Sequence, residues 1–502
     1  MENQVNGQPS VRPSLAAAAE KPLKLNKKRT AFIGIAFFGI LLLWGIYNSY
    51  CGNFLTFMFA EKLYGLTSDK LMDAANADKF INVQYLVGII MALDNIAALF
   101  LMPLFGNLSD KTHTKLGKRM PYIIVGTVVS AVALPFIPLF FAEGYINGNL
   151  GLALPGVISM MVVVLFFMMM YRSPAVALMP DLTPKPLRSR ANGIINLIGF
   201  LGGAVAIIFA MFMPFSNFVT NGKAGYENIW WIEVPFIVAS VVMLISLGIL
   251  LWKIKENKIE SDVAVEMKRG DKLAETVDEV KDEGPLSREN RKNLILILVA
   301  EALWFMSFNA IETFLANYTM FYLDASTAQK GYLDAVNGLC GAVAFIFAGR
   351  VADKIGRKRT ILIGLGVVAV SYLAFCFTPT GIVPGTAYTF SKNIPWTLFV
   401  IFACAGAGAS FIHNCSFPMV VDFCNSGKIG KFTSYYYAAS MLAQSITPIL
   451  IGLIFKGTGQ WQALPIYSAA LMAMALVVFL FVKAPMKDKA ENKKGLEALD
   501  AG

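Results

Sequence analysis

Apolar residues fall into long runs of about twenty or more, the length that crosses a ~30 Å hydrocarbon layer, and short polar stretches separate them. Six runs lie at 31–59, 80–105, 121–141, 151–179, 193–215 and 232–252, and six more at 294–318, 331–349, 360–378, 396–421, 433–455 and 464–483. Backbone polar groups in hydrocarbon must bond within their own segment, so such runs predict helices. The expected fold is an all-α integral membrane protein with twelve transmembrane helices. It divides into a tail at 1–30, a six-helix bundle at 31–252, a charged linker at 253–293, a second six-helix bundle at 294–483 and a tail at 484–502.

The two bundles read as copies of each other. A polar loop, Gly106 to Arg119 (GNLSDKTHTKLGKR), follows the second run and recurs after the eighth as Gly349 to Thr360 (GRVADKIGRKRT), each opening Gly-x-x-x-Asp-Lys. Trp44 and Asn48 in the first run correspond to Trp304 and Asn309 in the seventh. Asp181 precedes Arg188 and Arg190 as Asp422 precedes Lys428 and Lys431. Two pseudo-symmetric six-helix halves are expected, an architecture of secondary transporters.

Composition agrees: 56 % of residues are hydrophobic and 15 % charged, with a mean hydropathy of +0.59. The net charge of +10 does not point to nucleic acid, because the basic residues sit in loops between apolar runs. Of the 43 Lys and Arg residues, 36 fall on the side that holds both tails, so the positive-inside rule puts both termini in the cytoplasm and the chain in the plasma (inner) membrane. Ala16 to Ala19 is too short for a signal-peptide core. The linker mixes acids and bases, carries Gly284 and Pro285, and reads as partly helical. The six cysteines, Cys51, Cys340, Cys376, Cys404, Cys415 and Cys424, lack metal-ligand spacing. Neither metal nor cofactor is expected. No phosphate-binding Gly-x-x-x-x-Gly-Lys-[Ser/Thr] loop occurs, which disfavours ATP-driven work.

The two loops resemble the signature of the major facilitator superfamily, Gly-x-x-x-Asp-[Arg/Lys]-x-Gly-[Arg/Lys]-[Arg/Lys]. Gly349 to Arg359 matches throughout. The first copy has four extra residues between Lys111 and Gly117, and this longer form before Pro121, with YRSPAVALMPDL at Tyr171 to Leu182, is similar to the glycoside and sucrose-type proton symporters. The resemblance implies alternating access by a monomer importing a sugar or glycoside with a proton. Two departures qualify it. Plant sucrose symporters carry an arginine where Val176 stands, whereas this chain has Arg172 one turn earlier. The paired acids of the melibiose-type branch would fall near Ala98 and Met102, and neither is acidic.

The candidate chemistry follows from polar groups within apolar runs. A carboxylate at mid-membrane depth costs roughly 2.5–3.5 kcal/mol, so Asp94 reads as functional. Arg172 is its expected partner in proton coupling. The loop residues Gly106, Asp110, Lys118, Arg119, Gly349, Asp353, Gly356 and Arg357 are expected to form a conformational latch through charge-assisted hydrogen bonds to neighbouring helices. Sugar recognition needs amides and carboxylates for hydroxyls and an aromatic face for the ring. Trp44, Tyr47, Asn48, Asn196, Asn309, Glu312, His413, Asn414 and Gln444 supply these groups, with Trp304 beside them. Glu301 reads as a solvated acid near a helix end, and Trp230, Trp231, Trp252, Trp396 and Trp461 as interfacial anchors. The competing readings are a lipid or amphiphile transporter of related fold, a nontransporting sensor, which would need a signalling domain, and a membrane enzyme. No nucleophile–base pair supports the last.

Overall fold

The computed structural model of the protein describes residues 23–66, 73–220, 226–278, 288–382, 386–423 and 429–483. The tails at 1–22 and 484–502, the linker stretch 279–287, Cys424 and Lys428 lie outside the described residues. Among the described residues, twelve helices are long and apolar enough to cross a membrane. Spans 1 to 6 are Lys27–Tyr64, Ala77–Lys111, Met120–Asn147, Leu150–Asp181, Arg190–Thr220 and Trp230–Lys253. Spans 7 to 12 are Arg288–Phe321, Thr327–Ile355, Arg357–Phe375, Trp396–Asp422, Lys431–Thr458 and Ala463–Leu480. The chain is a multi-pass membrane protein. Below, the face on which the first and last spans begin and end is the tail side, and the opposite face the far side.

Several helices outrun the apolar stretches that predict them, because a helix continues through polar turns until its end groups are capped. The Asn26 side chain accepts the N–H of Arg29 at 3.0 Å to open span 1, and Gly65 closes it with φ of 61°. Ser326 accepts the N–H of Ala328 at 3.2 Å and opens span 8 at Thr327, four residues before the apolar stretch starting at 331. The extra turn adds Lys330 to the helix, one turn before Asp334. Between spans 6 and 7, residues Glu256–Asp278 of the linker form a further helix.

The two halves meet mainly where span 2 packs on span 11 and span 5 on span 8. Backbone contact there needs small residues. A Cβ on Gly88 would stand 2.1 Å from the carbonyl oxygen of Pro448, and one on Gly452 would stand 2.7 Å from Cα of Tyr85. Polar bonds reinforce the joint. Asn317 of span 7 donates to Thr56 Oγ1 and to Gln84 Oε1, both at 2.9 Å, and Gln84 Nε2 donates to Thr56 Oγ1 at 3.3 Å. All three residues are buried. The Ser216 and Ser326 hydroxyls lie 2.8 Å apart, linking spans 5 and 8.

Aromatic rings close the remaining gap. Phe80 of span 2 stacks on Phe321 of span 7 with centroids 4.2 Å apart, and Phe57 of span 1 packs on both. Tyr388 of the segment between spans 9 and 10 covers this pair, itself held by Phe390. By chain direction Thr56, Gln84, Asn317, Phe57, Phe80 and Phe321 lie in the far-side thirds of their helices, and Tyr388 lies in a far-side connection. The halves are therefore sealed on the far side.

Asn317→Ala leaves the Gln84 acceptor and part of Thr56 without a partner in a dry interface. Each orphaned buried group costs about 1–3 kcal/mol, so the ratio of far-side-closed to far-side-open molecules should fall roughly tenfold. Spin labels at Leu63 and Thr458 report that distance. An unchanged distribution would show that the triad does not hold the seal.

Candidate functional site

Immediately on the tail side of the seal, a cavity of ≈ 450 Å³ lies between the halves. Span 1 lines it with Trp44, Asn48 and Ser49, span 5 with Phe200, Gly203 and Ile207, and span 7 with Phe308, Ile311 and Glu312. Span 8 adds Lys330, Asp334 and Asn337, and Tyr372 and Phe402 complete the wall from spans 9 and 10. The volume lies in the ~300–1,000 Å³ range typical of small-molecule pockets. Aromatic rings share this lining with charges and amides, and Trp44 and Asn48 stand one turn apart on the same helix.

The polar part of this lining is a connected electrostatic group. Asn48 Nδ2 donates to Glu312 Oε1 at 3.1 Å and is the direct bond between the halves at cavity level. Lys330 pairs with Asp334 at 2.6 Å, one helical turn on, and its charge also acts on Glu312. A lysine that is only 7 % exposed needs such partners, because removing a charge from water costs several kcal/mol. Two carboxylates and one ammonium leave the group with a net negative charge when all are ionised.

Asp94, 4 % exposed, sits behind this wall in span 2. Its Oδ1 accepts the backbone N–H of Asn95 at 2.5 Å and the Asn95 Nδ2 at 2.9 Å. Among the described residues no ion pair joins Asp94 to Arg172. The guanidinium lies over the Trp44 ring instead, 5.9 Å from its centroid. The two groups are still close enough for each to feel the other's charge, and Asp94 feels Glu312 as well. A single electrostatic neighbourhood thus runs from Arg172 through Asp94 to the Glu312 cluster.

At the tail side, Arg119 gathers three spans. Its guanidinium donates to Asp181 Oδ2 at 2.8 Å, Ser109 Oγ at 2.5 Å and the Gly106 carbonyl at 3.3 Å, and pairs with Asp110. Lys118 adds a 3.2 Å pair with Asp181. Burial opposes the charge on Arg119, but Asp181 and Asp110 outweigh it and hold the pKa above the ordinary arginine value. In the second half Arg357 pairs with Asp422 and donates to the Pro418 carbonyl at 3.3 Å. All these bonds lie within one half or the other. Gly349, Asp353 and Gly356 are exposed, and Asp353 has no ion pair among the described residues.

The remaining predicted residues scatter. Tyr47 is fully buried behind Trp44, with its hydroxyl unpartnered. Asn196 is exposed on span 5, tail-side of the cavity lining. Asn309 is buried with its Oδ1 unpartnered. His413 packs between Phe305 and Phe308 at 5.5 and 5.6 Å. Asn414 and Gln444 give their amides to the carbonyls of Phe345 and Ser440.

Three sequence readings are corrected by burial. Trp304 is a core residue against Phe479, and Trp461 is buried on Phe321 and Phe455 instead of lying at an interface. Glu301, read as solvated, is fully enclosed, and neither carboxylate oxygen has a hydrogen-bond partner. Lys330, Asp334 and Asn337 were not anticipated as lining groups. The available signal was a Lys and an Asp one turn apart at the edge of an apolar run, on a side otherwise poor in basic residues.

Comparison with known proteins adds the following. A family model described as Major Facilitator Superfamily matches residues 4–207, 86–381 and 298–500. A lactose permease from Lactobacillus delbrueckii subsp. bulgaricus is 23% identical over 292 residues, covering 55% of this chain and 43% of the permease. A lactose permease from Leuconostoc lactis is 28% identical over 189 residues, covering 35% of this chain and 28% of that protein. The chain thus matches well under two thirds of either relative's length. Among solved structures, a D-xylose-proton symporter superposes with a TM-score of 0.62 at 15% identity, covering 92% of this chain and 98% of that one. The xylose transporter of E. coli in an inward-open conformation gives 0.61 at 14% identity, covering 94% and 98%. At these identities the superpositions speak to the fold.

Lys330→Met should expose the cost of the cavity's charge group. It leaves Asp334 and Glu312 facing each other without a cation, and for partners this much buried a loss of about 2 kcal/mol is expected, the partial exposure of Asp334 keeping it below a fully buried pair. Thermal unfolding in detergent measures the loss, and Asp334→Asn in the same chain should recover part of it. Equal melting of Lys330→Met and wild type would remove the pair from the account.

Proposed function

The chain belongs to the major facilitator superfamily, and we propose that it is a secondary active transporter importing a sugar or glycoside together with a proton. The observation that carries this reading is the cavity between the halves, lined by Trp44 and Tyr372 together with Asn48, Glu312, Lys330, Asp334 and Asn337. An aromatic face matches the C–H surface of a sugar ring, while carboxylates, an ammonium and amides match its hydroxyls. The printed names of the lactose permeases and the D-xylose-proton symporter agree with a sugar. The lipid or amphiphile alternative would want an apolar path, which this charged wall does not offer.

Substrate reaches the cavity from one side at a time. With the far side sealed, the site communicates with the tail side, which the distribution of 36 of 43 basic residues makes cytoplasmic. Rocking of one half against the other would break the far-side seal and close the tail side. Arg119 with Asp110 and Asp181, and Arg357 with Asp422, hold the tail ends of each half as units during that motion. Asp353, unpaired here, is free to latch when the tail side closes. Asn48, which donates to Glu312 across the seam, senses both substrate and the approach of the halves.

Asp94 is the proposed proton carrier. It is buried, bonded to its neighbour Asn95, and within Coulombic reach of Arg172 and Glu312. An approach of Arg172 favours its ionised form, and withdrawal behind Trp44 favours protonation, so conformation and proton occupancy are linked. The chain is proposed to act as a monomer, needing no further subunit to complete the cavity.

A panel of radiolabelled sugars offered to proteoliposomes, with and without an imposed proton gradient, tests the reading. One or more sugars should accumulate only with the gradient. Asp94→Asn should abolish that accumulation while leaving counterflow of the same sugar within about threefold, since a permanently neutral side chain still permits rocking. Concentrative uptake by Asp94→Asn on a proton gradient alone would exclude Asp94 as the carrier. Glu312→Ala should weaken sugar binding roughly tenfold or more, the worth of a hydrogen bond to a charged group, and more than Glu312→Gln does. Unchanged calorimetric affinity in both would remove Glu312 from the site.

A further inference from the structure

The tail-side ends of spans 7 and 12 enclose a recess of ≈ 780 Å³, separate from the cavity between the halves. Arg288, Arg291, Lys292 and Lys483 line its outer part, and Ile295 and Phe481 line it toward the membrane. Its walls are tied together. Asn293, buried in span 7, accepts the backbone N–H of Lys483 at 3.1 Å, and Lys483 Nζ pairs with Glu289 of the same recess at 2.9 Å. Lys358, at the start of span 9, donates to the Leu480 carbonyl at 3.1 Å and fixes the end of span 12.

Basic residues at the tail ends of spans follow from the orientation of the chain, but those of the recess differ from the rest in their partners. Lys118, Arg119, Lys185 and Arg357 pair with acids. Arg288, Arg291 and Lys292 have no ion pair among the described residues, so three positive charges stand uncompensated beside the Lys483–Glu289 pair. The same helix face then turns apolar. Arg288, Lys292, Ile295 and Val299 recur every three or four residues and share one side of span 7. All four are exposed, Ile295 to 53 %, and Phe481 across the recess is 69 % exposed, one turn from exposed Val477. At 1.5 Å per residue Lys292 lies ~5 Å and Arg288 ~10 Å outside Ile295 along the helix. That distance crosses a headgroup layer, about 5–8 Å thick on each side of the hydrocarbon.

Fixed cations outside and an exposed apolar face inside match a ligand with phosphate at one end and hydrocarbon at the other. We infer that the recess between spans 7 and 12 binds one anionic phospholipid of the tail-side leaflet, its phosphate held by Arg288, Arg291 and Lys292 and its acyl chains lying on Ile295, Val299 and Phe481. The guanidinium groups offer paired N–H donors to phosphate oxygens, and the lysine adds a point charge. A zwitterionic lipid carries its own cation beside the phosphate and matches three positive charges less well. A free phosphate would use the outer part of the recess and none of the inner. The site depends on the membrane-spanning fold and is independent of which substrate or ion the central cavity takes.

The test is native mass spectrometry of the full chain in detergent, with phosphatidylglycerol or phosphatidylcholine added at equal concentration. Wild type should bind phosphatidylglycerol roughly tenfold or more tightly than phosphatidylcholine, given the attraction of each basic residue for anionic lipid. Arg288→Gln, Arg291→Gln and Lys292→Gln combined should remove that preference. A control with Lys255→Gln, Lys258→Gln and Lys268→Gln takes the same charge from exposed positions in and beside the linker helix, and should keep it. Equal loss in the two variants would show diffuse attraction to a basic face and overturn the site, as would equal binding of both lipids by wild type. Glycerol phosphate at the lipid's concentration should not compete; if it does, the recess is an anion site and the lipid assignment fails. Should the triple variant fold poorly, photoactivatable phosphatidylglycerol on wild type decides. Labelled peptides from 288–299 and 477–483 support the site, and labelling confined to other spans overturns it.

Discussion

The arrangement depends on a one-sided joint between two six-helix halves. Asn317, Thr56 and Gln84 hydrogen-bond one another in a buried far-side interface, with Phe57, Phe80 and Phe321 packed around them. Hydrocarbon supplies no hydrophobic drive for helices to associate, so close packing at Gly88 and Gly452 and the hydrogen-bonded polar cluster carry the contact. Such a cluster is bistable by nature. Fully made it is rigid, and half-made it is costlier than an apolar contact, which favours two discrete packings over a continuum of partly open ones.

Joining the halves at one end creates the cavity at mid-depth, and the cavity in turn decides where charge can sit. Lys330, Asp334 and Glu312 line the cavity in the seam. The same groups facing lipid would each cost several kcal/mol. Asp94 and Arg172 do not line this cavity, yet Asp94 feels the charges of both Arg172 and Glu312 without a fixed ion pair. A permanent pair would trap Asp94 in its ionised form. Holding the guanidinium on Trp44 instead leaves both charge states of the acid accessible to the motion of the helices.

Much of this was legible in the chain. Hydropathy gives twelve spans because backbone satisfaction in hydrocarbon leaves no other solution, and the repeated loops announce two halves. Within the site, Trp44, Asn48 and Glu312 line the cavity as their chemistry suggests. Residue type does not specify azimuth, however. Asn414 and Gln444 are as polar as Asn48 but bond carbonyls of their own half, and Trp304 and Trp461, alike in composition to site or interface tryptophans, fill cores. Lys330 escaped because a hydropathy window ends a helix where polarity begins, whereas the real helix starts at the cap, Ser326, and without Lys330 the Asp334 inside the predicted run had no visible partner. Enclosure by other helices, which hides Glu301, is a tertiary property that no local pattern encodes.

The two signature loops show what duplication preserves and what it releases. Arg119 reaches Asp181 as Arg357 reaches Asp422, so the charge link between neighbouring tail ends is common to both halves. The surroundings differ. Gly356 has φ of 89° with open space where its Cβ would be, whereas the equivalent space at Gly117 is filled by a carboxylate. The four extra residues in the first loop form the turn whose Thr114 and Lys115 carbonyls accept from Asn257, and Thr114 Oγ1 closes that turn on the Gly117 carbonyl at 2.6 Å. An insertion that looks like tolerated drift in the sequence is therefore the docking surface for the linker. The second loop lacks it, and the linker helix, starting three residues after span 6, lies on the first half.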